Sequence, residues 1–161
     1  MKHVMKLEDW NALRVLTGDG HNWGNPKLLD RRVVLTLDAA LFNTGLFHAV
    51  ITSGTGGKHS PTSFHYPLKE RGGLGMALDF MLPTVPRKNL PAIYKMLMGA
   101  GFGAVGIYAD WKLSRTEPPI GGFHVDVREN KDGRVATWMQ CRAIGPGFLP
   151  VTAENMARAF R

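Results

Sequence analysis

Apolar positions along the chain follow two spacings, and the elements they predict alternate between helix and strand. From 28 to 42, Leu28, Leu29, Val33, Leu35, Leu37 and Leu41 form a broad apolar face at helical spacing, with Asp30, Arg31 and Arg32 outside it. Gly45 follows as the stop signal. A second helix is expected over 86–98, with Leu90, Ile93, Tyr94 and Leu97 inward. Pro91 sits awkwardly there, and Asn89 offers a later start as cap. Residues 7–16 suit a short helix, and Thr152 reads as the N-cap of a last one that buries Met156, Ala157 and Phe160. Residues 48–52, 76–82, 103–108, 123–128 and 134–141 read as strands. Asp132-Gly133, between the last two, is a hairpin signal. These elements predict one α+β domain over 1–161, a small and mostly antiparallel sheet with helices packed on one side.

Composition narrows the function classes. A hydrophobic content of 44% with 20% charged residues is that of a globular chain rather than a disordered one. Twenty basic against 13 acidic residues give a net charge of +7, which suits a polyanionic partner: nucleic acid, a membrane surface or an anionic cell wall. The basic residues are dispersed, with Arg31-Arg32 and Arg87-Lys88 the only adjacent pairs and no stripe interleaved with aromatics, so nucleic acid is not expected. Residues 1–9 contain no apolar leader core, and no segment approaches membrane-spanning length. The expectation is a chain made in the cytoplasm, without membrane insertion, that meets a cell wall only if phage-derived or released. Cys141 is the single cysteine, so stability rests on the core and any bound metal.

Three residues carry candidate chemistry. Asp79 lies in a strand-like run that is otherwise apolar, where a carboxylate is costly unless paired, hydrogen-bonded or metal-bound. Gly75 and Ala77 before it permit close backbone packing. His124 and Asp126 alternate onto one face of their strand, and His65 sits in Ser63-Phe64-His65. His65, Asp79 and His124 together supply the ligand set of an open zinc site, in which three protein donors leave a fourth position for water. Ser53-Gly54-Thr55-Gly56-Gly57-Lys58 is not a phosphate-cradling loop: Thr52 stands where the first glycine is required, and His59 follows the lysine.

The ordered segments Ser63-x-His65, Gly75-x-Ala77-x-Asp79, Gly106-Ile107-Tyr108 and His124-x-Asp126-x-Arg128 resemble the D-alanyl-D-alanine carboxypeptidase and Hedgehog-type family of zinc peptidases. Within it, they are most similar to phage-type and bacterial peptidoglycan peptidases. The resemblance covers residues 28–138. It implies a Zn2+ cofactor on His65, Asp79 and His124 and hydrolysis of an amide bond in peptidoglycan stem peptides, by a carboxypeptidase or an endopeptidase. The alternative is a non-catalytic wall-binding or virion structural module of the same fold. The family pattern places its first histidine seven positions before the aspartate. Here Asp79 follows His65 by fourteen, and residues 66–73 read as an inserted loop.

The family's substrate-carboxylate arginine falls in the loop after a strand, where Lys58 and His59 are the nearest cations. Arg128 is a third candidate, for a substrate carboxylate or for pairing with Asp126. Several family members carry an acid three positions before the last histidine, a place held here by Gly121. Asp126 is then the candidate general base, or alternatively the residue that orients a ligand imidazole. Glu117 and Asp110 come next.

Overall fold

The side chains of five short strands alternate between large apolar residues and small or polar ones, and this alternation gives the sheet two unlike faces. In a computed structural model that describes residues 3–55 and 59–161, these are β1 (Val50–Ser53), β2 (Ala77–Met81), β3 (Ala104–Tyr108), β4 (Gly122–Asp126) and β5 (Ala136–Gln140). They form one open mixed sheet in the order β1-β2-β4-β3-β5. The β1–β2, β2–β4 and β4–β3 pairs are antiparallel, and β5 joins β3 in parallel. Leu78, Phe80, Val105, Ile107, Phe123, Val125 and Met139 share the first face and are fully buried.

Helices α2 (Arg31–Asn43) and α3 (Leu90–Met98) cover that face. Val33, Leu37 and Leu41 of the first, with Leu90 and Leu97 of the second, complete a single core. Helix α2 starts three residues later than its apolar pattern predicts. Asp30, expected outside the apolar face, is buried as its N-cap and accepts the Arg32 backbone N–H at 2.9 Å. Pro26–Leu28 before it forms a 3-10 turn. Pro91 is accommodated in the first turn of α3, and Asn89 holds the cap position without a side-chain bond. The two remaining helices are short, α1 over Leu7–Asn11 and α4 over Ala153–Ala159, the latter capped by Thr152 as expected.

The expected hairpin between the last two strands is not formed. Gly133 does make a turn, with φ 68° and its N–H on the Asn130 carbonyl. But β3 lies between β4 and β5, and the connection passes around its end. Gly103 N–H bonds the Asp126 carbonyl, and Ala136 N–H bonds the Gly103 carbonyl. A Cβ at Gly103 would collide with the Arg128 carbonyl, so the crossing needs glycine there. The Asp-Gly signal reports a local turn; strand pairing is settled by the sheet as a whole.

Candidate metal centre

The second face of the sheet mixes small, polar and aromatic residues, and it is the face that carries the chemistry. One row of paired positions crosses all five strands: Ser53, Asp79, His124, Gly106 and Trp138. Pairing Asp79 opposite His124 brings the carboxylate Oδ1 within 2.8 Å of the ring Nδ1. His65 reaches the same point from outside the sheet. Its Nε2 lies 3.2 Å from Asp79 Oδ2 and 3.3 Å from His124 Nδ1. The three predicted ligands therefore form one group, in which the histidines are buried, and the group could hold a metal ion.

The loop between His65 and Asp79 explains why fourteen residues do not separate them. Met76 N–H bonds the Phe64 carbonyl at 2.7 Å, so residues 65–75 leave and return at one place. Arg71 ties the loop inward, donating from Nη2 to the Ser63 carbonyl at 2.7 Å, with its guanidinium over the Phe64 ring. Gly75 packs against the chain at His65: a Cβ there would fall 2.7 Å from the His65 carbonyl oxygen and 2.4 Å from Thr55 Cγ2.

Each histidine is held by the nitrogen that faces away from the group. His65 Nδ1 donates to the Gly54 carbonyl at 2.8 Å, and His124 Nε2 donates to Asp126 Oδ2 at 3.1 Å. When both rings are neutral, these bonds leave His65 Nε2 and His124 Nδ1 as lone pairs beside the Asp79 carboxylate, a set of acceptors that converges only around a proton or a cation. Without a metal, a proton on His124 Nδ1 donates to Asp79 Oδ1. Burial pushes the Asp79 carboxyl up, but bonding and charge from His124 and His65 outweigh it and hold the pKa down at about 2. Burial alone would lower that of His124; Asp126 and Asp79 reverse this and raise it.

Asp126 is fully buried, and both its oxygens are occupied. Arg128 Nε lies 2.8 Å from Oδ1 and 2.9 Å from Oδ2, and Arg128 Nη2 also donates to Oδ2. For Asp126, burial again acts upward, and the bonds from His124 and Arg128 win and lower the pKa. Of the two uses foreseen for Arg128, its contacts give the pairing with Asp126. Its guanidinium also lies 4.0 Å over the Phe64 ring, on the wall of a depression shared with the metal group.

Among the other predicted residues, Lys58 lies outside the described residues. His59 stacks on His65, ring centroids 4.5 Å apart, and its Nε2 is 2.9 Å from Ser53 Oγ. Asp110 lines the cavity that also contains Asp79, whereas Glu117 is an exposed loop residue.

Sequence reasoning overlooked the aromatic surround. The Trp138 indole lies across Gly106 and reaches His124, centroids 4.9 Å apart; a Cβ on Gly106 would sit 2.5 Å from the indole Nε1. A glycine inside Ala-Val-Gly-Ile-Tyr was the available signal for such a close approach. Tyr108 stacks on Trp111 at 3.9 Å, and burial together with the charge of Asp79 raises its phenol pKa.

None of the described helices is long and apolar enough to cross a membrane. The chain matches no family model, no curated protein and no solved structure.

Proposed function

We propose that the protein is a zinc-dependent peptidase that hydrolyses an amide bond in peptidoglycan stem peptides. The observation that carries this reading is the spacing of the three donors. Atoms bound to zinc at 2.0–2.1 Å with tetrahedral angles lie about 3.3 Å apart; here the two imidazole nitrogens are 3.3 Å apart, with one Asp79 oxygen 3.2 Å from His65 Nε2 and the other 2.8 Å from His124 Nδ1. Two neutral imidazoles and one carboxylate are also a donor set that zinc takes readily. When bound, zinc supplies Lewis acidity toward a carbonyl and lowers the pKa of water toward neutrality.

The protein's own groups do the rest. Gly54 and Asp126 fix the tautomers of His65 and His124, so that Nε2 of one ring and Nδ1 of the other stay available. Asp126 is a positioning residue in this reading, because Arg128 and His124 occupy its oxygens. Asp110, which shares a cavity with Asp79, is the proton acceptor we assign, taking a proton from the attacking water and returning it to the leaving amine. The resemblance of the motif order to peptidoglycan peptidases supplies the substrate class, and the net charge of +7 suits an anionic wall.

A second reading is favoured by one observation: Gly121 holds the position three before His124, where several members of the resembled family carry an acid. On that reading, the same fold and metal bind wall peptides without cutting them. Mass spectrometry of sacculi digested with zinc-loaded protein separates the two. New amine termini without released sugars support the peptidase; intact stem peptides with retained wall binding refute it.

A further inference from the structure

Two depressions meet at the metal group. The larger, about 700 Å³, is lined by Asp79 and His59 and also by Trp111, Lys112, Arg115 and Arg142. The smaller, about 460 Å³, shares Asp79 and His59 and is lined also by Phe64, Trp138 and Phe148, by Arg128 and by the hydroxyl residues of the 60–63 segment. Tyr108 belongs to the second and Trp111 to the first, and these two rings are stacked at 3.9 Å. The aromatic pair therefore borders both arms, and Asp79 is common to them. Each volume is within the range of pockets that take ligands much larger than one terminal residue, about 300–1,000 Å³.

The two arms differ in charge. Lys112, Arg115 and Arg142 are exposed side chains of the larger arm. Asp110, its acid besides Asp79, accepts the backbone N–H of Arg142. With Asp79 engaged by a metal, the balance of that arm is positive. The smaller arm is walled by aromatic rings and by the hydroxyls of Ser60, Thr62 and Ser63, and its one Lys or Arg among the described residues, Arg128, is paired with Asp126.

We infer that the substrate is an extended, acid-bearing peptide that lies across the metal group in both arms and is cut at an internal bond, with its free carboxylates in the arm of Lys112, Arg115 and Arg142. This rests on the peptidase reading and adds the kind of bond and the chemistry beside it. Hydrolysis there breaks one C–N bond. Water supplies the hydroxyl to the acyl carbon and a proton to the departing amine, so no other co-reactant is needed. An enzyme that trims one terminal residue has no use for a second arm of this size.

The test uses the zinc-loaded full chain and synthetic stem peptides. One peptide extends on both sides of the cut bond and carries free carboxylates. A second has those carboxylates amidated, and two more are shortened to a single residue on one side. Products are followed by liquid chromatography and mass spectrometry. The extended acidic peptide should exceed the shortened ones at least tenfold in kcat/KM. Amidation should raise KM several-fold with kcat little changed, and the doubly substituted Arg115→Gln/Arg142→Gln protein should lose that preference at unchanged zinc content. Equal turnover of a shortened peptide, or an acid preference that survives in the double variant, overturns the inference. Should no peptide be cut, the peptidase reading falls by itself, and calorimetric titration of the same peptides decides the rest. Tighter binding of the acidic peptide, lost in the double variant, supports the cationic arm; equal binding of the acidic and amidated forms overturns it.

Discussion

Asp126 holds the Nε2 edge of His124 at 3.1 Å, and this leaves Nδ1 of the same ring facing Asp79 at 2.8 Å. The orientation of one candidate ligand is thus set by a carboxylate that is itself locked by Arg128. Asp126→Asn should weaken zinc binding by about ten- to a hundredfold, the usual effect of losing such a partner, with activity returning at saturating zinc. Asp110→Asn should instead lower kcat by roughly two to four orders of magnitude at full zinc occupancy. Zinc titrations beside steady-state rates distinguish the two; an Asp126→Asn enzyme that stays slow when fully loaded would return the base role to Asp126.

The group itself should bind about one zinc per chain. His65→Ala, Asp79→Ala and His124→Ala should each abolish stoichiometric binding, because each removes one of three converging donors. Elemental analysis after zinc reconstitution and desalting checks this. Full retention of metal by any one of these variants would show that another residue supplies the donor, with His59 first to examine, since its ring stacks on His65.

Stability should respond to pH in opposite senses with and without metal. In the metal-free protein Asp79 is held at about 2, so its contribution is present above its ordinary value of 3.8 and is lost as pH falls through about 2. The pKa of His124 is raised, so its contribution is complete below 6.5 and is lost as pH rises through the folded value. Without metal the group therefore stabilises most between 3.8 and 6.5. Zinc must displace the His124 proton, so its stabilising effect should grow as pH rises. Melting curves with zinc and with a chelator, compared across about pH 4 to 9, should separate progressively; a constant gap would rule this out.

Gly75 is predicted to matter for metal binding although it contributes no donor. In Gly75→Ala the new methyl would meet the His65 carbonyl oxygen at 2.7 Å and Thr55 Cγ2 at 2.4 Å. The threonine can rotate away, but the His65 backbone must shift. Overpacking of this kind costs about 1–3 kcal/mol, and zinc affinity should fall with stability. Unchanged zinc affinity in a folded variant would show that the His65 backbone yields without moving its ring.

The strands and two of the donors, Asp79 and His124, were legible in the sequence for one reason, that each depends on which side of a strand a residue faces; His65, outside the sheet, was legible only through the order of the motif segments. The apolar run around Asp79 made its carboxylate conspicuous, and the two-residue step from His124 to Asp126 put both on one face. What was illegible depends on contacts between distant segments. The Gly54 carbonyl that orients His65 is a backbone atom with no side-chain signature. The placement of β5 beside β3 follows from passage around Gly103, while Asp132-Gly133 speaks only for its own turn. The Trp138 indole over Gly106 joins two residues whose relation exists only once β3 and β5 pair.

The bond from Met76 N–H to the Phe64 carbonyl has a consequence for how such sites are recognised. Because the chain between these residues departs and returns at one point, its length is a property of the excursion and has no bearing on where the donors stand. A doubling of loop length costs only about 0.6 kcal/mol in closure entropy, so this excursion can be lengthened at little cost to His65 and Asp79 as long as the Arg71 tie to Ser63 and the Gly75 contact at His65 are kept. A search that fixes the interval between the histidine and the aspartate measures the excursion. One anchored on the small residue packed at its return, Gly75, and on the strand face beyond it measures the site.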